Sequence, residues 1–155
     1  MKAEHINPFI TSTCEVFRTM LSIDPVRGQL YVKTNEKLPY DISGIIGLAG
    51  DSTGFIIISM TESLALKVVE KFIGEKKEKM DEDVMDAVGE ILNMIAGGAK
   101  QIFSRTGVRF KISIPNVVMG KDHMVGKQKN VHCLGMTFKV GDEVFVIEVA
   151  LKDGN

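Results

Sequence analysis

The chain has 155 residues, 45% of them hydrophobic and 25% charged, enough for one ordinary domain with its own core. Its net charge of −1 excludes a general affinity for nucleic acid or anionic lipid. No apolar run is long enough to span a bilayer, "MKAEHINPF" lacks the apolar centre of a secretion signal, and Cys14 and Cys133 have no metal-type spacing, so they read as reduced thiols of a cytoplasmic protein.

Asn7 and Pro8 predict the start of a helix that runs to Leu21, with Asn7 as its cap and Pro8 in its first turn. Phe9, Thr13, Val16 and Met20 fall on its inward stripe, and Thr11, Glu15 and Arg18 on its outward line. "IDPVRG" stops the helix and "QLYVKT" reads as a strand. "SGIIGLAGDSTGFIIISM" reads as two strands around a Gly/Asp/Ser turn. "TESLALKVVEKFIG" is a second helix, capped by Thr61 and closed by Gly74, and "EKKEKM" is a charged linker. A third helix is predicted from Glu82 to Ser104. Asp81 is its cap, and Glu82 and Asp83 suit the positive end of its dipole. "RFKISIP" reads as a strand, and "NVHCLGMTFKVGDEVFVIEVAL" as a hairpin around Gly141-Asp142.

The chain repeats itself, over residues 6–60 and 81–151, with the helix of residues 62–73 as the link. Each half is a long helix, a strand ending near a proline, and a hairpin with a Gly-Asp turn. Thr11, Glu15 and Arg18 hold the places of Asp86, Glu90 and Asn93. Pro39 follows Arg18 at nearly the distance at which Pro115 follows Asn93, and Gly50-Asp51 matches Gly141-Asp142. Two copies are too few for a solenoid. The expected fold is α/β (α+β) in a single domain, residues 1–155. Two pseudo-symmetric repeats would pack their long helices together on one side of a shared, mainly antiparallel sheet.

On the third helix, Val84, Val88, Ile91, Ile95, Ala99 and Ile102 cluster within roughly 80°, with Leu92 and Phe103 on the shoulder of that stripe. Asp86, Glu90, Asn93 and Gly97 form one line on the opposite face. Gly89, Met94 and Ala96 flank that line. Small residues there let a partner's backbone come close, and methionine suits an adaptable contact. Outward polar residues are usually plain solvated positions. Two details single these out. Asparagine is a poor residue in the middle of a helix, and Gly89, Gly97 and Gly98 each weaken it by about 1 kcal/mol relative to alanine. Elsewhere the signals are weak. His5, His123 and His132 lack ligand spacing, so no protein-bound metal is expected. The basic stretch from Gly120 to Asn130 reads as a solvated loop, a docking aid or a dimer-crossing segment.

Asp86, three residues, Glu90, two residues, Asn93, then Pro115 some two dozen residues on, with "GEILNMIAG" around the pair, resembles the CheC/CheX/FliY family of chemotaxis phosphatases. The resemblance covers nearly the whole chain and its duplication. Leu92 stands where the family often has a small residue. Arg18 stands where CheC-type members carry a second asparagine, which favours the CheX type, with one site per chain.

The resemblance implies a cytoplasmic phosphatase acting on the aspartyl phosphate of a CheY-type response regulator. It implies Asn93 positioning the attacking water and Glu90 pairing with the regulator's active-site lysine. Asp86, Met94 and Gly97 would contact the partner, with support of the helix as the alternative role for Asp86, and Pro115 would shape the surface. It implies no cofactor of its own, Mg²⁺ supplied by the regulator, and a homodimer. The alternative is a module that binds a response regulator without hydrolysing anything.

Overall fold

The computed structural model describes residues 3–33, 40–120 and 132–153. A short 3-10 turn, Ala3–Ile6, leads into α1 (Asn7–Leu21), so Asn7 is already helical. The cap position falls to Ile6, which has no side chain able to cap, while Pro8 keeps its place in the first turn. After β1 (Val26–Val32), β2 (Ile42–Gly50) and β3 (Ser52–Met60) comes α2 (Glu62–Ile73). Thr61 accepts a hydrogen bond from the Leu64 N–H at its start, and Gly74 closes it at a left-handed φ of 78°. In α3 (Glu82–Ser104) the Asp81 carboxylate accepts from the Val84 N–H at 3.1 Å. β4 (Phe110–Ile112), β5 (Asn116–Met119), β6 (Cys133–Val140) and β7 (Glu143–Asp153) complete the chain.

The strands form one antiparallel sheet in the order β1-β6-β7-β3-β2-β4, with β5 also on β2. The two hairpins, β2-β3 and β6-β7, meet at the centre through β3 and β7. β1 pairs with the hairpin of the other half, and β4 and β5 do the same in return. The leading strands are thus exchanged between the halves.

Three helices pack on this sheet. Phe145, Ile147 and Val149 of β7 point into the helical layer, where Phe145 stacks on Phe17 of α1 at 4.5 Å and on Phe138 at 5.0 Å. Phe103 of α3 lies between Phe9 and Phe110. α1 and α3 touch directly: the Ser12 hydroxyl donates to the Ile95 carbonyl at 2.7 Å. Met20 is not part of the inward stripe. It is 47% exposed, and Ile10, Phe17 and Leu21 are buried in its stead, because α1 meets both α3 and the sheet. Ile102 is half-buried, whereas Leu92 and Phe103 belong to the core. Pro39, His123 and most of the basic stretch from Gly120 to Asn130 lie outside the described residues.

Candidate functional site

The start of α3 is held from outside the helix. Lys77 Nζ donates to Asp81 Oδ2 at 2.7 Å and lies 3.4 Å from Asp83. The hydrogen bond from Lys77, and then that from the Val84 N–H, lower the Asp81 pKa; the same contact with Asp81 raises that of Lys77. A helix fixed at its first turn carries its outward line as a rigid ridge. Asp86 and Glu90 are exposed, and Asn93 and Gly97 half-buried, over about 16 Å of helix. Among the described residues no hydrogen bond or ion pair engages the side chains of Asp86, Glu90 or Asn93. Met94 is half-buried and packs its other side on the core.

The flanks of the ridge depart from the sequence expectation. Gly89 and Ala96 are buried, not outward shoulders. The buried arc of α3 is wider than the apolar stripe because β5 and α1 both lean on it. The three glycines have separate reasons. A Cβ on Gly89 would meet Pro115 and Val117 at 3.3–3.4 Å. One on Gly98 would collide with the Ser12 hydroxyl. One on Gly97 would meet nothing within 4 Å. Two of the glycines thus admit neighbours inside the fold, and Gly97 leaves bare helix backbone beside Asn93.

Pro115 lies in a feature that the sequence left unread. The expected strand at residues 109–115 is broken into β4 and β5, with Ile112 opposite Leu48 and Asn116 opposite Ile45. Three residues, Ser113 to Pro115, therefore face two, Ile46 and Gly47, which is a β-bulge. Ser113 holds it to β2: its N–H donates to the Gly47 carbonyl at 2.9 Å, and its hydroxyl accepts from the Gly47 N–H at 2.8 Å. Pro115 has no N–H to leave unpaired, and it presses on α3 at Gly89. Ile114, beside Pro115 in the bulge, is 81% exposed. A proline inside a strand pattern was the available signal.

On α1 the matching residues Thr11, Glu15 and Arg18 are also exposed, but Arg18 Nε donates to Asp24 Oδ1 at 3.2 Å. The most enclosed charges lie on the sheet face away from the helices. There Lys33 Nζ is 3.2 Å from Glu148 Oε1, and the Tyr31 hydroxyl donates to Glu148 Oε2 at 3.0 Å. Burial, and then the Glu148 charge, push the Tyr31 pKa upward. Lys33 and Glu148 are buried and Tyr31 is half-buried, on the face of the sheet away from the ridge. Among the described residues no three His, Cys, Asp or Glu side chains gather to hold a metal, and no helix is long and apolar enough to cross a membrane.

A carboxylate and a carboxamide one turn apart form a surface that both accepts and donates hydrogen bonds. The family model described as "Chemotaxis phosphatase CheX" matches residues 42–139. The chain is 29% identical to the CheY-P phosphatase CheX of Thermotoga maritima, over 99% of each chain. It is 34% identical to the chemotaxis protein CheX of Vibrio vulnificus, whose crystal structure it matches with a TM-score of 0.90 over 97% of this chain and 100% of that one. A chain of the CheX-CheY-BeF3-Mg²⁺ complex of Borrelia burgdorferi is 26% identical, with a TM-score of 0.82 over 98% of this chain and 100% of that one.

Proposed function

The chain belongs to the CheX family of chemotaxis phosphatases, and on that footing we propose that it hydrolyses the aspartyl phosphate of a phosphorylated CheY-type response regulator. The observation that carries this is the pairing of Glu90 and Asn93 on one outward line of a rigid helix, both unengaged among the described residues, with open backbone at Gly97 beside them.

Phosphoryl transfer asks for an in-line nucleophile and stabilised charge, with little covalent help. The Asn93 carboxamide offers one acceptor and donors on a single planar group, which suits holding a water by its proton while its lone pair faces phosphorus. The water oxygen bonds to phosphorus, the phosphorus–carboxylate oxygen bond breaks, and inorganic phosphate and free aspartate result. Glu90, one turn earlier, pairs with the regulator's active-site lysine and fixes the register of docking. Asp86, Met94 and Gly97 contact the regulator around this pair, and Pro115 shapes the ridge through Gly89. The regulator supplies Mg²⁺ beside its phosphate, and the reaction takes place in the cytoplasm. The protein acts as a homodimer. The edge strand β1 supports a second copy, since Val26, Leu30 and Val32 expose apolar side chains along it. Light scattering should give twice the chain mass.

The test is the decay of phospho-aspartate on a purified regulator of the same organism. Wild type should shorten its lifetime, and Asn93→Ala should remove nearly all of that gain while binding survives. A regulator that binds with an unchanged lifetime would favour the non-catalytic module instead.

A further inference from the structure

The ridge does not end at Gly97. At the same spacing it continues through Lys100 to Ser104 and opens into a cleft of about 670 Å³ between the end of α3 and β4. Lys100, Arg109 and Lys111 are among the residues that line this cleft, with Ser104, Val108 and the buried Phe110. Asp51, the one acid in the lining, is tied to the turn: its carboxylate accepts from the Arg109 N–H at 2.9 Å and its own N–H donates to the Arg109 carbonyl at 3.0 Å. No ion pair occupies Lys100, Arg109 or Lys111 among the described residues.

Charge along this surface is segregated. Residues 82–93 contain four acids and no base, and residues 94–112 contain four bases and no acid. The helix dipole accounts for Glu82 and Asp83, but its influence fades within a turn and does not reach the cations of β4. From Glu90 to Ser104 is about 21 Å of helix. A single partner of ordinary interface size, about 800 Å² a side, covers both ends.

Resting on the phosphatase reading above, we propose that the cleft between α3 and β4 is a second docking point for the same response regulator, taking a carboxylate-bearing surface segment of it. The ridge is then a two-point ruler. A cation of the regulator sits at Glu90, acids of the regulator sit at Lys100, Arg109 and Lys111, and reversed docking sets like charges against each other at both ends. The three cations call for an acidic segment, and continuity with the Glu90–Asn93 line points to the partner that docks there.

The experiment measures affinity for the regulator trapped with beryllium fluoride, a phosphoryl mimic, and Mg²⁺, at about 50 and 200 mM salt, beside KM and kcat for dephosphorylation. The triple variant Lys100→Glu, Arg109→Glu, Lys111→Glu should bind at least tenfold more weakly at the lower salt. It should lose most of the salt dependence of wild type and keep kcat within twofold. The triple glutamine variant should fall between, and it decides the matter if the glutamate variant fails to fold. Wild-type affinity and salt dependence in the variants overturn the second docking point even if dephosphorylation is fast. The binding shift without any wild-type dephosphorylation overturns the catalytic reading and leaves the docking point standing. No binding by wild type overturns both.

Discussion

α1 and α3 share a frame and differ in what they carry on it. Both set an outward glutamate three residues before a polar side chain, Glu15 before Arg18 and Glu90 before Asn93. Arg18 is a cation already leaning on Asp24, whereas Asn93, unengaged among the described residues, is an amide that can both donate and accept. Four residues on, the helices diverge further. α1 stops at Ser22, in the left-handed region at φ 54°, where α3 has bare Gly97 and runs on to Ser104. The strands that follow both bulge. In β1, Gly28 and Gln29 face Thr137 alone, and in the other half Ser113 to Pro115 face two residues. Only the second bulge has a proline pressing on a helical glycine. The two helices thus share a scaffold, and the open ridge stands on α3.

The largest expected effect separates the two polar residues. Asn93→Ala should cost about 100-fold or more of the accelerated dephosphorylation, the scale seen when a positioned transition-state partner is removed. Arg18→Ala should change it by less than twofold. Equal losses would mean that both helices serve the chemistry. Glu90→Ala should raise KM about tenfold, as expected for a lost interfacial charge pair, and Glu15→Ala should leave it unchanged. If KM and affinity are both unaltered in Glu90→Ala, the contact with the regulator's lysine is wrong.

Neighbouring glycines sharpen the comparison between a surface closed by the fold and one left open. Gly98→Ala drives a methyl group into Ser12, whose buried hydroxyl must then give up the Ile95 carbonyl. The lost hydrogen bond outweighs the helix propensity gained, for a net loss of about 1 kcal/mol in denaturant unfolding. Gly97→Ala enters open space and should stabilise the protein by about 0.5–1 kcal/mol. The same methyl group stands where the regulator is proposed to approach, so KM should rise several-fold. A stabilised Gly97→Ala enzyme with unchanged KM would remove Gly97 from the interface.

Much of this was legible in the sequence because it is written locally. The caps Thr61 and Asp81, the stop at Gly74 and the two Gly-Asp hairpin turns each depend on residues within a few positions. The outward line of α3 follows from helix periodicity alone. What was not legible depends on partners far along the chain. No local signal tells that β1 pairs with β6 of the other half, or that β5 and α1 widen the buried arc of α3 to include Gly89 and Ala96. Met20 was assigned inward by its spacing on α1, but packing buried Phe17 and Leu21 instead. The bulge at Ser113 to Pro115 had a signal in its proline. Its register could be fixed only once β2 was known to be the partner.

The smallest expected effect is the most direct probe of whether the proposed site needs more than its glutamate and its amide. Arg18→Asn restores on α1 the glutamate-then-asparagine spacing of α3 and removes an exposed ion pair worth no more than about 0.5 kcal/mol. If an amide next to a glutamate were sufficient, activity per chain should double. We expect a change of less than twofold, because α1 ends at Ser22 and offers neither the open glycine nor the basic cleft beyond it. Single-turnover decay of the regulator's phosphate, measured in Arg18→Asn and in Arg18→Asn with Asn93→Ala, separates the cases. Activity that survives in the double variant would have to come from α1. It would show that α1 lacked only the amide, and that the greater length of α3, its bulge and its charge polarity are not needed for hydrolysis.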